Sequence, residues 1–216
     1  MKLFVYEHCP YCVKARMIFG LKNLPVEVKA LLNDDEKTPT SMVGKKVVPI
    51  LQKQDGSFMP ESMDIVQYID NSDHKPLLTG PISAAVATWL RHVSEYTEKL
   101  FIPRFAAAPF EEFATPQARQ YFTDKKQAKL GDFKEHLQHS PGLVKKINQD
   151  LRDLDKLIQE PNAVNGELSE DDIHLFPVLR SLSIVKGVEL PTRVLAYRDN
   201  NMAKQTQINL LTRLAS

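Results

Sequence analysis

Cys9 and Cys12 bracket a Pro-Tyr pair, and no other cysteine occurs in the 216 residues. A C-x-x-C spacing serves zinc binding or dithiol redox chemistry, and it also arises between two inert core thiols. A structural zinc ion takes four Cys or His ligands. Cys9 and Cys12 supply two of these, His8 is poorly placed to join them, and no second C-x-x-C exists. A metal is therefore not expected. Disulfide-stapled secreted folds use more cysteines at wider spacing. A dithiol beside a βαβ pattern in a reducing compartment favours thiol–disulfide exchange.

The flanking residues say why such a dithiol would react. Leu3 to Tyr6 is a short apolar run of buried-strand type. Pro10 follows it, and its fixed φ suits a first helical residue. Val13, Met17, Ile18 and Leu21 continue at helical spacing. Cys9 is thus expected at a helix N-terminus, facing unpaired N–H groups and the positive end of the helix dipole. The thiolate is the nucleophile, and this setting favours it, so the pKa of Cys9 should fall below the usual value of about 8.5. Cys12, nearly one turn further in, should be less exposed and act as the resolving thiol. Arg16 reads as a solvated charge and Trp89 as a packing residue.

The elements that must hold this turn in place follow a mixed α/β order. Val26 to Leu32 is a second strand, and Thr38-Pro39 to Gly44 a short helix. Val47, Val48, Ile50 and Leu51 form another apolar run, interrupted by Pro49. Asp55-Gly56 is a hairpin turn, returning through Phe58 and Met59. Met63, Ile65, Val66 and Ile69 mark a closing helix from Ser62. The order βαβαββα over residues 1–72 predicts a small mixed sheet flanked by helices. Residues 73–81 are rich in turn formers and read as a linker.

Residues 82–216 read as all helix. Ile82, Val86, Trp89, Leu90, Val93, Tyr96 and Leu100 fall on one long helical stripe. Pro103 and Pro109 predict a bend or break. Thr115-Pro116 and Ser140-Pro141 each resemble an N-cap followed by proline. Leu143, Ile147, Leu151, Leu154 and Ile158 mark a further helix. Ser169 and Asp172 fit a capping box, with Leu168 and Ile173 as its hydrophobic staple.

Charge and hydropathy narrow the partners. The net charge is +1, from 28 basic and 27 acidic residues, which gives no footprint for nucleic acid or an anionic membrane. No apolar run reaches the length of about 18 residues that a membrane helix needs. The N-terminus lacks the apolar core of a secretory signal, so a cytoplasmic location is expected.

Four stretches carry a family resemblance: HCPYCVKARMIFGLKN, KVVPILQ, MPESMDIVQYID and NAVNGELSEDD. Together, in this order, they resemble bacterial glutaredoxins of the glutaredoxin 2 type, and the likeness spans essentially the whole chain. That family joins a thioredoxin-like glutaredoxin domain to an all-α domain shaped like that of glutathione S-transferases. The resemblance implies Cys9 as nucleophile and Cys12 as resolving thiol. It implies a cis proline at Pro49, with Val48 pairing its backbone with the cysteinyl part of glutathione. Glu61 and Ser62 match the transferase pair that holds the γ-glutamyl end, where many small glutaredoxins carry other elements. Tyr11 would flank glutathione.

The implied activity is glutathione-dependent reduction of protein disulfides and glutathione mixed disulfides. Glutathione would be a co-substrate, with no permanently bound cofactor, and the protein a monomer. Two other readings stand beside it. A glutathione S-transferase conjugating electrophiles would not need a dithiol. A non-catalytic interaction module on the same fold would not need to keep Cys9, Cys12, Pro49, Glu61 and Ser62 together.

Overall fold

The computed structural model describes residues 1–216. Four strands form one sheet in the order β2-β1-β3-β4: β1 Lys2–Val5, β2 Glu27–Ala30, β3 Ile50–Gln52 and β4 Phe58–Met59. β1 pairs parallel with β2 and antiparallel with β3, which pairs antiparallel with β4. The parallel pair needs a crossover, supplied by α1 (Pro10–Leu21). β2 is shorter than the Val26–Leu32 run because it is an exposed edge, with Glu27 and Lys29 in place of a continuous apolar face.

α2 (Lys37–Val43) begins before Thr38, because the Asp35 carboxylate accepts from the Thr38 N–H at 2.9 Å and so anchors the first turn. Its end is set by Gly44 at φ 78°, a left-handed conformation that glycine adopts without a Cβ penalty. α3 (Ser62–Asp70) buries Ile65, Val66 and Ile69 beneath the sheet. Each such side chain contributes about 1.5–3 kcal/mol through removal from water.

The helical part comprises α4 (Ala84–Ser94), α5 (Glu98–Ala107), α6 (Pro116–Leu130), α7 (Phe133–Leu157) and α8 (Glu170–Leu182). Two short helices follow, α9 (Thr192–Leu195) and α10 (Ala203–Thr206), joined through a wide turn at 196–202. No helix is long and apolar enough to cross a membrane.

Several local expectations change here. The stripe from Ile82 to Leu100 is divided between α4 and α5, and Ile82 lies outside both and is exposed. Ser83 caps α4 instead, accepting from the Val86 N–H. Pro103 sits inside α5, whereas Pro109 follows its end. Thr115 caps α6, with Pro116 in its first turn. Ser140-Pro141 starts nothing: α7 runs through it from an Asp132 cap. Ser140 is buried and its hydroxyl accepts from Arg104 at 2.8 Å, so a tertiary bond uses the group that would have capped. At the start of α8, Asp172 accepts from the Ser169 N–H at 3.0 Å. The expected capping box of Ser169 and Asp172 is in place, and the Asp172 N–H also bonds the Ser169 carbonyl at 3.1 Å.

One hydrophobic cluster runs through both parts, from Leu3 and Ile18 to Leu179 and Met202. α1 lies at its centre, against α3 on one side and α8 and α10 on the other. Gly20 permits the approach to α10: a Cβ there would lie 2.2 Å from the Thr206 carbonyl oxygen. The reactive turn therefore begins a helix held from both parts of the chain.

Candidate active site

Cys9 is the N-cap of α1, with extended backbone (φ −71°, ψ 120°), and it is half-buried. Its N–H bonds the Tyr6 carbonyl at 3.2 Å, and its own carbonyl accepts from Val13 at 3.0 Å. These two bonds fix the turn from β1 into α1. The Cys9 pKa falls to about 6. The largest cause is the hydrogen bond from the Cys12 thiol, followed by the positive charge of His8 and the backbone N–H groups of Cys12 and Tyr11, against a burial cost. Cys12 is fully buried, and burial pushes its thiol well above the ordinary value. Its sulfur accepts from the Tyr6 N–H at 3.4 Å. The two thiols are thus driven apart, one toward the anion and one toward the neutral donor.

Beside the dithiol lies a cavity of about 210 Å³ lined by Tyr11, Val47, Val48, Pro49, Glu61 and Ser62. The Val48–Pro49 peptide is cis. Ser62 is the first residue of α3 and is buried, so its N–H belongs to the unpaired donors of a helix start. Glu61 has φ 70° and ψ 114°, a conformation that non-glycine residues rarely hold and that costs on the order of 1–3 kcal/mol. Its carboxylate pairs with Lys45 at 3.0 Å, a partner the sequence did not single out. Tyr11 is 59% exposed at the rim, with Lys14 5.0 Å from its ring centre. The structure thus gathers every sequence-derived site residue around one turn and one cavity.

Two neighbours were missed or misread from sequence. Glu112 is fully buried, in a short turn before α6, and its Oε1 accepts from the His8 N–H at 3.0 Å. The same oxygen lies 2.7 Å from His8 Nδ1. Burial works to raise the Glu112 pKa, but the hydrogen bonds and charge of His8 outweigh it and hold the pKa below the usual value. Arg16 is not a free solvated charge: it bonds Glu7 at 2.9 Å, and Glu7 also pairs with the buried Arg180 of α8. No group of three or more His, Cys, Asp or Glu side chains is placed to hold a metal ion.

A polarised dithiol at the N-terminus of the first helix of a thioredoxin-like sheet, joined to a transferase-like helical part, defines a thiol–disulfide oxidoreductase on a glutathione-transferase-like fold. Comparison with known proteins gives the family. The family model described as "Glutaredoxin 2, C terminal domain" matches residues 85–215, and "Glutathione S-transferase, N-terminal domain" matches residues 3–76. Glutaredoxin 2 of Escherichia coli K12 is 65% identical over 215 residues, covering 100% of both chains. The crystal structure of glutaredoxin 2 from Salmonella typhimurium in complex with glutathione superposes with a TM-score of 0.98 at 65% identity, covering 100% of this chain and 98% of that one. A glutathione S-transferase of Ceriporiopsis subvermispora shares the fold at TM-score 0.64 and 14% identity, over 99% of this chain and 95% of that one. This chain belongs to the glutaredoxin 2 family.

Proposed function

We propose that Cys9 and Cys12 reduce protein disulfides and glutathione mixed disulfides, with glutathione as the electron source. The observation that carries this reading is the placement of a Cys9 thiolate, pKa about 6, beside the cavity of Val48, Pro49, Glu61 and Ser62. The Cys9 thiolate attacks the glutathionyl sulfur of a mixed disulfide. The bond to the substrate sulfur breaks, and the substrate leaves as a thiolate. Cys9 then carries the glutathionyl group. A second glutathione thiolate attacks that group, forming oxidised glutathione and returning Cys9 as thiolate. The balance is one mixed disulfide and one glutathione thiol in, one substrate thiol and one oxidised glutathione out, and no metal or bound cofactor takes part.

Cys9 serves as nucleophile in the first step and as leaving group in the second, and a low pKa favours departure. For a protein disulfide, the Cys9 thiolate bonds one substrate sulfur and frees the other as thiolate; Cys12, passing its proton to that thiolate, then attacks the Cys9 sulfur, and the second substrate sulfur leaves as thiolate. The Cys9–Cys12 disulfide then forms and is reduced by glutathione. Cys12 is kept neutral until that moment by burial.

Glutathione binding is assigned residue by residue. The N–H and C=O of Val48, held by the turn at Pro49, pair with the cysteinyl backbone. The N–H and hydroxyl of Ser62 receive the γ-glutamyl carboxylate at the start of α3. The Glu61 carboxylate receives the γ-glutamyl amino group, and Tyr11 covers the rim. Residues 1–72 form the glutaredoxin domain, 73–81 the linker and 82–216 the helical domain. The protein acts as a monomer in the cytoplasm on disulfide-containing or glutathionylated proteins. Incubating the Cys12→Ser variant with oxidised glutathione tests the assignment: mass spectrometry should find one glutathionyl group, on Cys9. Modification elsewhere, or none, overturns it.

A further inference from the structure

A groove of about 440 Å³ opens between the start of α1 and the helices α4, α5 and α8. Pro10, the chain neighbour of Cys9, lines it. Tyr11 lines both this groove and the cavity assigned to glutathione, so the two hollows share that ring. Leu90, Phe101 and Val178 give the groove apolar walls. Its size falls within the roughly 300–1,000 Å³ of small-molecule sites. The glutathione held by Val48, Glu61 and Ser62 does not use it.

The groove carries both signs of charge: Lys14 and Arg91 are positive, Glu98 and Asp171 negative. Asp171 is engaged within the protein, where its Oδ2 accepts from the Ser83 N–H and the Asn165 side-chain amide, both at 2.7 Å. The other three are open to a ligand. Lys14 rests on the Tyr11 ring, 5.0 Å from its centre, and the lysines that pair with carboxylates are Lys2, Lys22, Lys45 and Lys156. A ring holds a cation without neutralising it. Arg91 donates to the Thr88 hydroxyl at 3.3 Å, and Glu98, in the first turn of α5, pairs with no cation. Burial lowers the Lys14 pKa and the charge of Cys9 works against that, which puts the ammonium within electrostatic reach of the reactive sulfur. Burial and the charge of Lys14 lower the His174 pKa, so this ring enters the groove as a neutral hydrogen-bonding group.

We infer that this groove binds the second glutathione, the one that reduces glutathionylated Cys9, with its carboxylates toward Lys14 and Arg91 and its ammonium toward Glu98. The inference rests on the reading of Cys9 as the residue that carries the glutathionyl group. Once that group fills the first cavity, the reducing thiol needs a separate place beside the turn. Glutathione has two carboxylates and one ammonium, which matches the two open cations and one open anion. Its thiol gives its proton to water, a loss that the Lys14 charge favours. The thiolate then bonds the glutathionyl sulfur, the bond from that sulfur to Cys9 breaks, and Cys9 leaves as thiolate. Arg91 and Glu98 come from the helical domain, which thereby takes part in the reductive half of the cycle.

The test separates the two half-reactions in a Cys12→Ser background. Cys9 is first glutathionylated with the mixed disulfide of glutathione and mercaptoethanol, and the isolated adduct is then reduced by glutathione or by mercaptoethanol, which has no carboxylate. Lys14→Gln/Arg91→Gln should slow reduction by glutathione about tenfold at low salt. Its rates of adduct formation and of reduction by mercaptoethanol should stay within about twofold of the parent, since neither uses the groove charges. At about 1 M salt, where the screening length is roughly 3 Å, the difference should shrink. Arg91→Glu, at an exposed position, should slow the glutathione step without risk to the core. Reduction by glutathione at the parent rate in both variants overturns the inference. So does equal slowing with the two thiols, which would make the lysine and arginine general to the chemistry rather than to glutathione. Failure of the Cys12→Ser protein to form the adduct on Cys9 overturns the reading of Cys9 itself, whereas an adduct whose reduction ignores the groove variants overturns only the groove.

Discussion

The Oε1 atom of Glu112, a residue of the helical part, accepts from the His8 N–H at 3.0 Å and lies 2.7 Å from His8 Nδ1, in a pocket closed by Phe105, Phe113 and Phe122. His8 immediately precedes Cys9, and its positive charge is among the causes that lower the Cys9 pKa. Glu112→Gln keeps the shape but removes the carboxylate that holds His8 against the turn, so the contribution of His8 should weaken and the Cys9 pKa should rise. Thiolate absorbance against pH in a Cys12→Ser background measures it. An unchanged midpoint would show that Glu112 serves packing alone.

The separation of the two thiols predicts how alkylation depends on pH. The Cys9 thiolate fraction rises with pH through about 6 and is nearly complete at neutrality. The iodoacetamide rate should therefore be half-maximal near pH 6 and level above pH 7. Cys12, buried and held neutral, should remain unmodified until the protein unfolds. A half-maximal rate near 8.5, the ordinary thiol value, would contradict the polarised dithiol.

Ser62 and Glu61 should separate affinity from rate. If Ser62 holds the γ-glutamyl carboxylate as proposed, Ser62→Ala removes one hydroxyl bond to it, worth about 1.5 kcal/mol, and KM for glutathione should rise roughly tenfold with kcat little changed. Glu61 holds φ 70°. Glu61→Gly relieves that strain, and its Tm should not fall even as KM rises. Steady-state kinetics and thermal melts read both.

Arg180 joins the two parts of the chain. It is 1% exposed, donates to the Glu7 carbonyl at 2.9 Å and to the Asn209 carbonyl at 2.8 Å, and pairs with the Glu7 carboxylate. Arg180→Ala leaves these acceptors unpaired and should cost about 3 kcal/mol. Arg180→Lys should recover little of it, since one ammonium cannot reproduce the planar fork. Urea unfolding checks both variants.

Local chemistry was legible in the sequence. Cys9 before Pro10, Ser62 at a helix start, the Asp55-Gly56 turn and the alternation that gives the mixed sheet all depend on neighbours a few residues away. Pairs distant along the chain were not: Glu112 meets His8 across 104 positions and Arg180 meets Glu7 across 173. No periodicity marks such partners. Thr115-Pro116 and Ser140-Pro141 carry the same local signal, yet only the first begins a helix, because Ser140 is committed to Arg104. The stripe that began at Ile82 ran on through Leu100 because periodicity does not register the break between α4 and α5.

The central claim, that Cys9 is the nucleophile and Cys12 resolves, is tested most directly by glutathione-coupled reduction of a mixed disulfide with wild type, Cys9→Ser and Cys12→Ser. Cys9→Ser should show no turnover. Cys12→Ser should keep a rate within a few-fold of wild type on the mixed disulfide and lose activity on an intramolecular protein disulfide. Wild-type turnover by Cys9→Ser would contradict the account.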